Sequence, residues 1–276
     1  MNIYSVKSYS TLLSIRPAQL GNLIKQILRI QRQYIKTKGN HIFWADPVSV
    51  FGLELLTQGV YELQMTKLLQ LVLHPSDIFV DLGGNEGYFS VIASSLVKDG
   101  KVHCIEPQSR LQPILQENIK INNANAVKVH RVAISSNQGE VTLFLRPSTN
   151  TGASSLFRHW KIGSVKETVP SITLDEFFKE NSLNHVRLLK VDCEGAESLV
   201  FAGGHNVIQQ NLIQLIAMEY HPSICGVEKC IDIHNQLRSA GYVLTKVREQ
   251  CIYHLPGLEK EIQSLGELSV NCNWND

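Results

Sequence analysis

Val80-Asp81-Leu82-Gly83-Gly84-Asn85-Glu86-Gly87-Tyr88-Phe89-Ser90 is the stretch that decides the fold of this chain. An apolar run, Ile78 to Leu82, reads as a buried strand, and it hands over through a glycine turn to a helical pattern from Tyr88 to Val97. Glycines at 83 and 87 let the backbone turn sharply and approach a ligand, and the free N–H groups opening the helix favour an anionic group. The spacing is not the Gly-x-Gly-x-x-Gly of a dinucleotide site. Asp81, two positions before the first glycine, would repel a pyrophosphate. A ligand with an ammonium and a carboxylate on one amino-acid end instead finds two partners, Asp81 and the loop amides. Ile105-Glu106-Pro107 then places an acid 25 residues after Asp81, near the offset at which doubly wound folds bind ribose hydroxyls. An amino acid joined to a ribose and an adenine describes S-adenosylmethionine.

Outward from this junction, short apolar runs alternate with helical stretches, the pattern of a parallel sheet wound with helices on both faces. Strands are expected at Lys101 to Glu106, Val127 to Ala133, Val186 to Val191 and Leu212 to Met218, with helices at Leu111 to Asn122, Ala196 to Phe201 and Glu228 to Ala240. Glu140 to Leu145 alternates like an exposed hairpin strand, and Thr149 to Ser155 is a polar loop. Thr173-Leu174-Asp175-Glu176 has capping-box spacing ahead of Phe177 and Phe178. Tyr242 to Val247 and Cys251 to Leu255 are joined by Arg248-Glu249-Gln250, too short for a crossover helix, so this closing pair is antiparallel. The domain reading is a basic helical arm over residues 1–40, one catalytic domain over 41–256 and a polar tail over 257–276.

A second acidic junction follows the fourth strand of the expected sheet: Leu189-Lys190-Val191-Asp192-Cys193-Glu194-Gly195-Ala196-Glu197. Ligands of open parallel sheets sit beyond the carboxyl ends of the strands where the strand order reverses, so Asp192 is expected in the same crevice as Asp81. Met218-Glu219-Tyr220-His221-Pro222 adds a carboxylate and an imidazole to the rim. Methyl transfer to a hydroxyl needs a base, and Asp192, Glu194 and His221 are the candidates, His221 having the unperturbed pKa best matched to neutral pH. Glu194 and Glu197 alternatively stabilise a helix N-terminus. Asp192 with Glu219 would suit a divalent ion on the ends of adjacent strands, a reading not favoured because no third oxygen ligand can be named.

The composition sets the outer limits. The chain has 276 residues, 43% hydrophobic and 18% charged, with a net charge of +1, which excludes disorder as the main state. No run of eighteen uninterrupted apolar residues is present, so no transmembrane segment is expected. The N-terminus lacks a secretory pattern, and the expected compartment is cytoplasmic. Six scattered cysteines read as reduced thiols; Cys225 and Cys230 lack the partners of a zinc site, and no metal is assigned. Seven bases and no acid precede Asp46, leaving nineteen bases against 25 acids, a balance of −6, in the body. Leu20, Leu23, Ile24, Ile27 and Leu28 recur at helical spacing within that basic segment. The helix is read as packing on its own domain or on a second subunit, with an acidic carrier protein, an anionic membrane surface or nucleic acid as the sharper alternatives.

With these residues in hand, the sequence resembles the FkbM-type family of S-adenosylmethionine-dependent methyltransferases. The resemblance runs from Asp77 to Val247 and rests on VDLGGNEGYFS (80–90), IEP (105–107), VAISSNQGEVTLF (132–144), GASSL (152–156), ITLDEF (172–177), LLKVDCEGAE (188–197) and MEYH (218–221). It implies a Rossmann-like, doubly wound α/β fold with a seven-stranded class I methyltransferase sheet. It also implies O-methylation of a sugar, polyketide, peptide or related metabolite. Its cofactor positions fall on Asp81, Gly83, Asn85, Gly87, Glu106 and Asp192, with Tyr88 opening the helix beside them. Gly84 stands where the family commonly has alanine, and Cys193 where it has an aliphatic residue. Two alternatives stand beside small-molecule O-methylation: a nucleic-acid methyltransferase using the basic arm, disfavoured because Asp-Cys-Glu-Gly follows the fourth strand and the body is acidic, and a non-catalytic cofactor-binding module whose basic helix docks a partner. The arm lies outside the resemblance and is left for contact with a second copy or a carrier protein.

Overall fold

The computed structural model describes residues 5–16, 18–157, 165–247, 250–265 and 268–269. Helices α1 (Val6–Ser14) and α2 (Ala18–Ile27) are followed by a hairpin of β1 (Gln33–Lys36) and β2 (Ile42–Ala45), and then by α3 (Val50–Gln58) and α4 (Leu63–Val72). The alternating part comprises β3 (Ile78–Leu82), α5 (Tyr88–Leu96), β4 (Lys101–Ile105), α6 (Gln112–Ile121) and β5 (Val127–His130). Three strands, β6 (Ala133–Ile134), β7 (Gly139–Leu145) and β8 (Val165–Ile172), form a separate small sheet. The winding resumes with α7 (Leu174–Glu180), β9 (Val186–Val191), α8 (Glu197–Ala202), α9 (His205–Gln209), β10 (Ile213–Glu219), α10 (Pro222–Cys225) and α11 (Val227–Ser239). It closes with β11 (Val243–Val247), β12 (Gln250–His254), α12 (Glu259–Ile262) and β13 (Leu268–Ser269).

Among the described residues the central sheet runs β13-β11-β12-β10-β9-β3-β4-β5. Its seven long strands are the expected α/β sheet, with β12 antiparallel to both β10 and β11. The two residues of β13 add an eighth strand from the segment read as a polar tail. The connecting turn lies partly outside the described residues. Side chains alternate between two buried layers: Phe79, Leu188 and Leu215 enter one, while Val80, Leu82, Leu189 and Ile216 enter the other. Near-continuous apolar strands are what burial on both faces requires. Asp81 and Lys190, of the same parity as Phe79 and Leu188, face the first layer and stand opposite each other in the β3/β9 register.

Two regions depart from the pattern reading. The expected strand from Val127 to Ala133 divides, β5 joining the central sheet and β6 pairing with β8 in the small one. The N-terminal segment is more than a helix: β1 and β2 pair from Gln33↔Ala45 to Lys36↔Ile42, across the boundary drawn at residue 40. Within α2 only Ile24 of the five spaced apolar residues packs on the small cluster around Tyr9, Leu12 and Val48, and Leu20, Leu23, Ile27 and Leu28 stay exposed. Lys25 is paired with the buried Asp46. At the other end, Ile262 is fully buried and Glu261 pairs with Arg187 of β9. No helix among the described residues is long and apolar enough to cross a membrane.

The Thr173 capping box forms as its spacing predicts. The Thr173 hydroxyl accepts from the Glu176 N–H at 3.1 Å, and Glu176 accepts in return from the Thr173 N–H. Thr173→Ala is expected to cost about 1 kcal/mol of stability in urea unfolding and to leave cofactor binding unchanged, because no residue of α7 lines the cleft at the glycine loop.

Candidate active site

The strand order reverses across β3, with β4 on one side and β9 on the other, and a cleft opens at the carboxyl ends of these strands. Its floor is the glycine loop. The Gly83 and Gly84 N–H groups donate to the Ile105 carbonyl at 3.1 and 3.0 Å, folding the loop back over β4. The Asp192 N–H donates to the Leu82 carbonyl at 3.2 Å, bringing the second acidic junction against the first. A Cβ on Gly83, whose φ is +82°, would lie 2.0 Å from the Asp192 carbonyl oxygen, so that approach demands glycine. A Cβ on Gly84 would meet the Cys104 sulfur at 2.3 Å, which accounts for glycine where alanine is common.

Glu106 is buried and accepts two amides, from Asn85 at 2.9 Å and from Gln108 at 2.8 Å, one on each carboxylate oxygen. Each oxygen keeps lone-pair capacity for a hydroxyl. Burial pushes its pKa up to about 7, against the two amide bonds that pull it down. Asn85 adopts a left-handed φ of 46° to reach this position. Its side chain accepts from the Thr151 hydroxyl at 3.0 Å, and Gln108 donates to the Thr151 carbonyl. Ser155 donates to the Glu194 carbonyl. The polar loop read at 149–155 is thereby tied across the cleft as its roof.

Lys190 is buried at the centre. Its ammonium lies 3.3 Å from Asp192 and 3.6 Å from Asp81, above the ring of Phe89. Burial alone would lower its pKa, but Asp192, Asp81 and Glu62 outweigh that and raise it, so the group stays charged. Asp81 therefore lies beneath the wall instead of on it: one oxygen accepts from Ser90 at 2.7 Å, and the other has no hydrogen-bond partner and faces Lys190. The reading of Asp81 as a direct ligand-facing group changes accordingly, since the strand's alternation sends it inward. Gly87 is likewise off the wall; it opens α5 at φ +87°, where a Cβ would lie 2.4 Å from Leu115. Gly83, Asn85, Tyr88, Glu106, Asp192, Glu194 and His221 all line the cleft.

The acidic rim is organised by Glu197. This fully buried carboxylate accepts from the Cys193 and Gly195 amides, each at 3.2 Å, and lies 3.0 Å from His221 Nδ1. His221 Nε2 is consequently aimed at Glu194, 3.7 Å away, with Glu219 at 3.9 Å. Burial would lower the His221 pKa, but the Glu197 bond and the surrounding carboxylates carry it up to about 9. Burial raises Glu194 to about 7, aided by Asp192 and opposed by His221. Both groups move up and keep their order, so the one near neutrality changes: at neutral pH His221 is protonated and Glu194 is the group near its midpoint. Cys193 is half-buried, its pKa well up by desolvation and then by Glu197 and Asp192, and is a small apolar neighbour. Asp192, Glu219 and His221 offer ligand atoms within 4.8 Å of one another, which supplies the third donor missing from the sequence reading.

A sequence model described as "Methyltransferase FkbM domain" matches residues 81–244. The chain belongs to this family. It is 24% identical over 179 residues to Methyltransferase 1 of Beauveria bassiana, covering 58% of this chain and 70% of that protein. It is also 24% identical over 172 residues to 2-O-methyltransferase NoeI of Sinorhizobium fredii, covering 56% of this chain and 67% of that protein. Among solved structures it is similar to an O-methyltransferase from Bacillus cereus in complex with SAH, at 12% identity and a TM-score of 0.45, covering 70% of this chain and 80% of that one. The cofactor of this FkbM methyltransferase is S-adenosylmethionine. The cleft fits that molecule: the Gly83–Gly84 turn has no room for side chains, and Glu106 retains acceptor capacity for a diol.

Three members of the site escaped sequence reasoning. Lys190 was quoted in its motif without a role, although it is a cation inside the buried strand VRLLKV. Glu197 was read as a helix-end acid, and its bond to His221 was invisible to spacing. Glu62 stands at a left-handed φ of 42° and lines the cleft, its pKa raised to about 7 by burial and then by Asp192; nothing local to its sequence signals this. For the FkbM cofactor cradle, Gly83→Ala is expected to abolish S-adenosylhomocysteine binding in calorimetric titration. Glu106→Gln is expected to weaken it about tenfold or more, the scale of losing a hydrogen bond to a charged group.

Proposed function

We propose that this FkbM methyltransferase methylates a hydroxyl group on a small-molecule acceptor of the sugar, polyketide or peptide type. The observation that carries the reading is the Glu194–His221 pair, 3.7 Å apart on the cleft wall, with His221 oriented by Glu197. A hydroxyl acceptor must lose a proton, and a carboxylate titrating near neutrality is matched to that task. The 2-O-methyltransferase NoeI among the relatives supports the same chemistry.

When bound, S-adenosylmethionine supplies an electrophilic methyl group on a sulfonium sulfur. Glu194 accepts the acceptor's hydroxyl proton on its carboxylate. The His221 imidazolium, held through Nδ1 by Glu197, keeps Glu194 ionised and donates from Nε2 toward the acceptor oxygen. Asp192 and Lys190 orient the acceptor side of the cleft. The roof loop restricts water by closing over Asn85 and Gln108, which favours transfer over loss to solvent.

Glu194 must be ionised, so activity is gained as the pH rises through about 7. His221 must be protonated, so activity is lost as the pH rises through about 9. The pH profile of kcat/KM is therefore expected to be bell-shaped, with limbs that belong to the coupled pair. Glu194→Gln is expected to lower kcat about 100-fold or more and to remove the acid limb, while His221→Gln removes the alkaline fall. Methylated products in a metabolite extract, identified by mass spectrometry, supply the acceptor for the assay. A rate that rises through pH 9 in the unaltered enzyme would transfer the base role to His221, and methylation at nitrogen would overturn the hydroxyl assignment.

A further inference from the structure

We infer that Arg32, from the segment that precedes the FkbM match, is a positioning residue for the cofactor loop: it holds the Glu86 carboxylate against the N-terminal hairpin and away from the opening turn of α5, where it would compete with the carboxylate of the cofactor's amino-acid end. The contact is bidentate, Nη1 to Oε2 and Nη2 to Oε1, both at 2.8 Å. Nη1 also donates to the Trp44 carbonyl at 3.0 Å, and the guanidinium lies over the Trp44 ring. Arg32 is thus fixed by the β1–β2 hairpin before it meets Glu86. Asn118 of α6 completes the join, accepting from the Trp44 N–H at 2.7 Å and donating to the Glu86 carbonyl at 2.8 Å.

Glu86 lines the cleft, sits between Asn85 and Gly87, and has a side chain that is only 1% exposed. The Gly83, Gly84, Asn85 and Gly87 amides are already bonded within the protein, so the anion-favouring place beside Glu86 is the first turn of α5, where the helix favours any carboxylate, internal or bound. A Glu86 carboxylate without Arg32 would be a buried anion next to an anion-binding site, and would compete with the carboxylate of the cofactor. The planar guanidinium satisfies both oxygens at once and points them toward the hairpin, which an ammonium cannot do. The segment outside the family match therefore completes the cofactor site. This inference rests on the cofactor and is independent of the acceptor.

The test is calorimetric titration of the full chain with S-adenosylhomocysteine. Arg32→Met is expected to raise Kd at least tenfold, and Arg32→Lys to recover part of the loss. Arg32→Met combined with Glu86→Gln is expected to bind more tightly than Arg32→Met alone, because the competing charge is gone. Lys25→Met serves as the matched control. It also leaves a buried carboxylate of the N-terminal segment without its cation, at Asp46, which keeps the Val48 amide and acts on Arg32 only through its charge; Lys25 touches no part of the loop, so the variant should lower the Tm and raise Kd far less than Arg32→Met does. Equal weakening by Arg32→Met and Lys25→Met, or an Arg32→Met Kd equal to that of the unaltered chain, would overturn the proposal. So would a double variant as weak as Arg32→Met. If Arg32→Met does not fold, hydrogen exchange of residues 83–90 in Arg32→Lys decides: faster exchange confined to that loop supports the role, and unchanged exchange refutes it.

Discussion

A buried ammonium between two strand ends is the contact on which the rest of the site depends. Lys190 and Asp81 are register partners in neighbouring parallel strands, and Asp192 follows two residues later on the strand of the lysine. Charges taken this far from water are tolerated only in company, and removing one partner would leave the others unbalanced. The three are therefore obligate to one another, and their mutual need fixes how the glycine loop after Asp81 lies against the acidic junction after Val191. Gly83 answers the same constraint sterically, since the backbone contact with Asp192 leaves no space for a Cβ.

Around that centre the charges do not cancel. Glu62, Glu194 and Glu219 join Asp192 on the wall, while Lys190 and His221 are the cations that line it. Glu62 and Glu194 are lifted to about 7, first by burial and then by neighbouring carboxylates such as Asp192, and His221 is carried to about 9 by Glu197 and the carboxylates around it against its burial. A cleft in this condition favours a positively charged occupant, and a sulfonium cofactor is one. Its arrival would make ionisation of Glu194 easier, which is the state that the proposed role of Glu194 as base requires.

How much of this was legible in the sequence depends on the range of the interaction. The order of strands and helices, the antiparallel closing pair and the Thr173 cap follow from local pattern. The wall positions at Gly83, Asn85, Glu106, Asp192, Glu194 and His221 follow from strand-end logic. Asp81 lies at the strand end its motif implies, while its burial beside Lys190 is not legible from the motif, because alternation along β3 is set by which layer Phe79 enters. Lys190 and Glu197 were in view as letters, but their partners come from other strands and turns. Glu62 and the pairing of β1 with β2 lay beyond reach, since a left-handed backbone and a short hairpin are decided by tertiary contacts.

The N-terminal charge changes meaning in this light. Seven bases without an acid read as a helix packed on its own domain or a second subunit, with an external acidic partner as the sharper alternative, and here Lys25 is matched by Asp46 and Arg32 by Glu86, both buried carboxylates. The −6 of the body and the +7 of the segment are thus partly two halves of one internal neutralisation. A basic segment of that kind is retained by the acids it covers, and the acid it covers at Glu86 lies inside the cofactor loop. The boundary of the matched domain is consequently not the boundary of the site: the loop has the sequence of the family, and its carboxylate is oriented by residues that precede it.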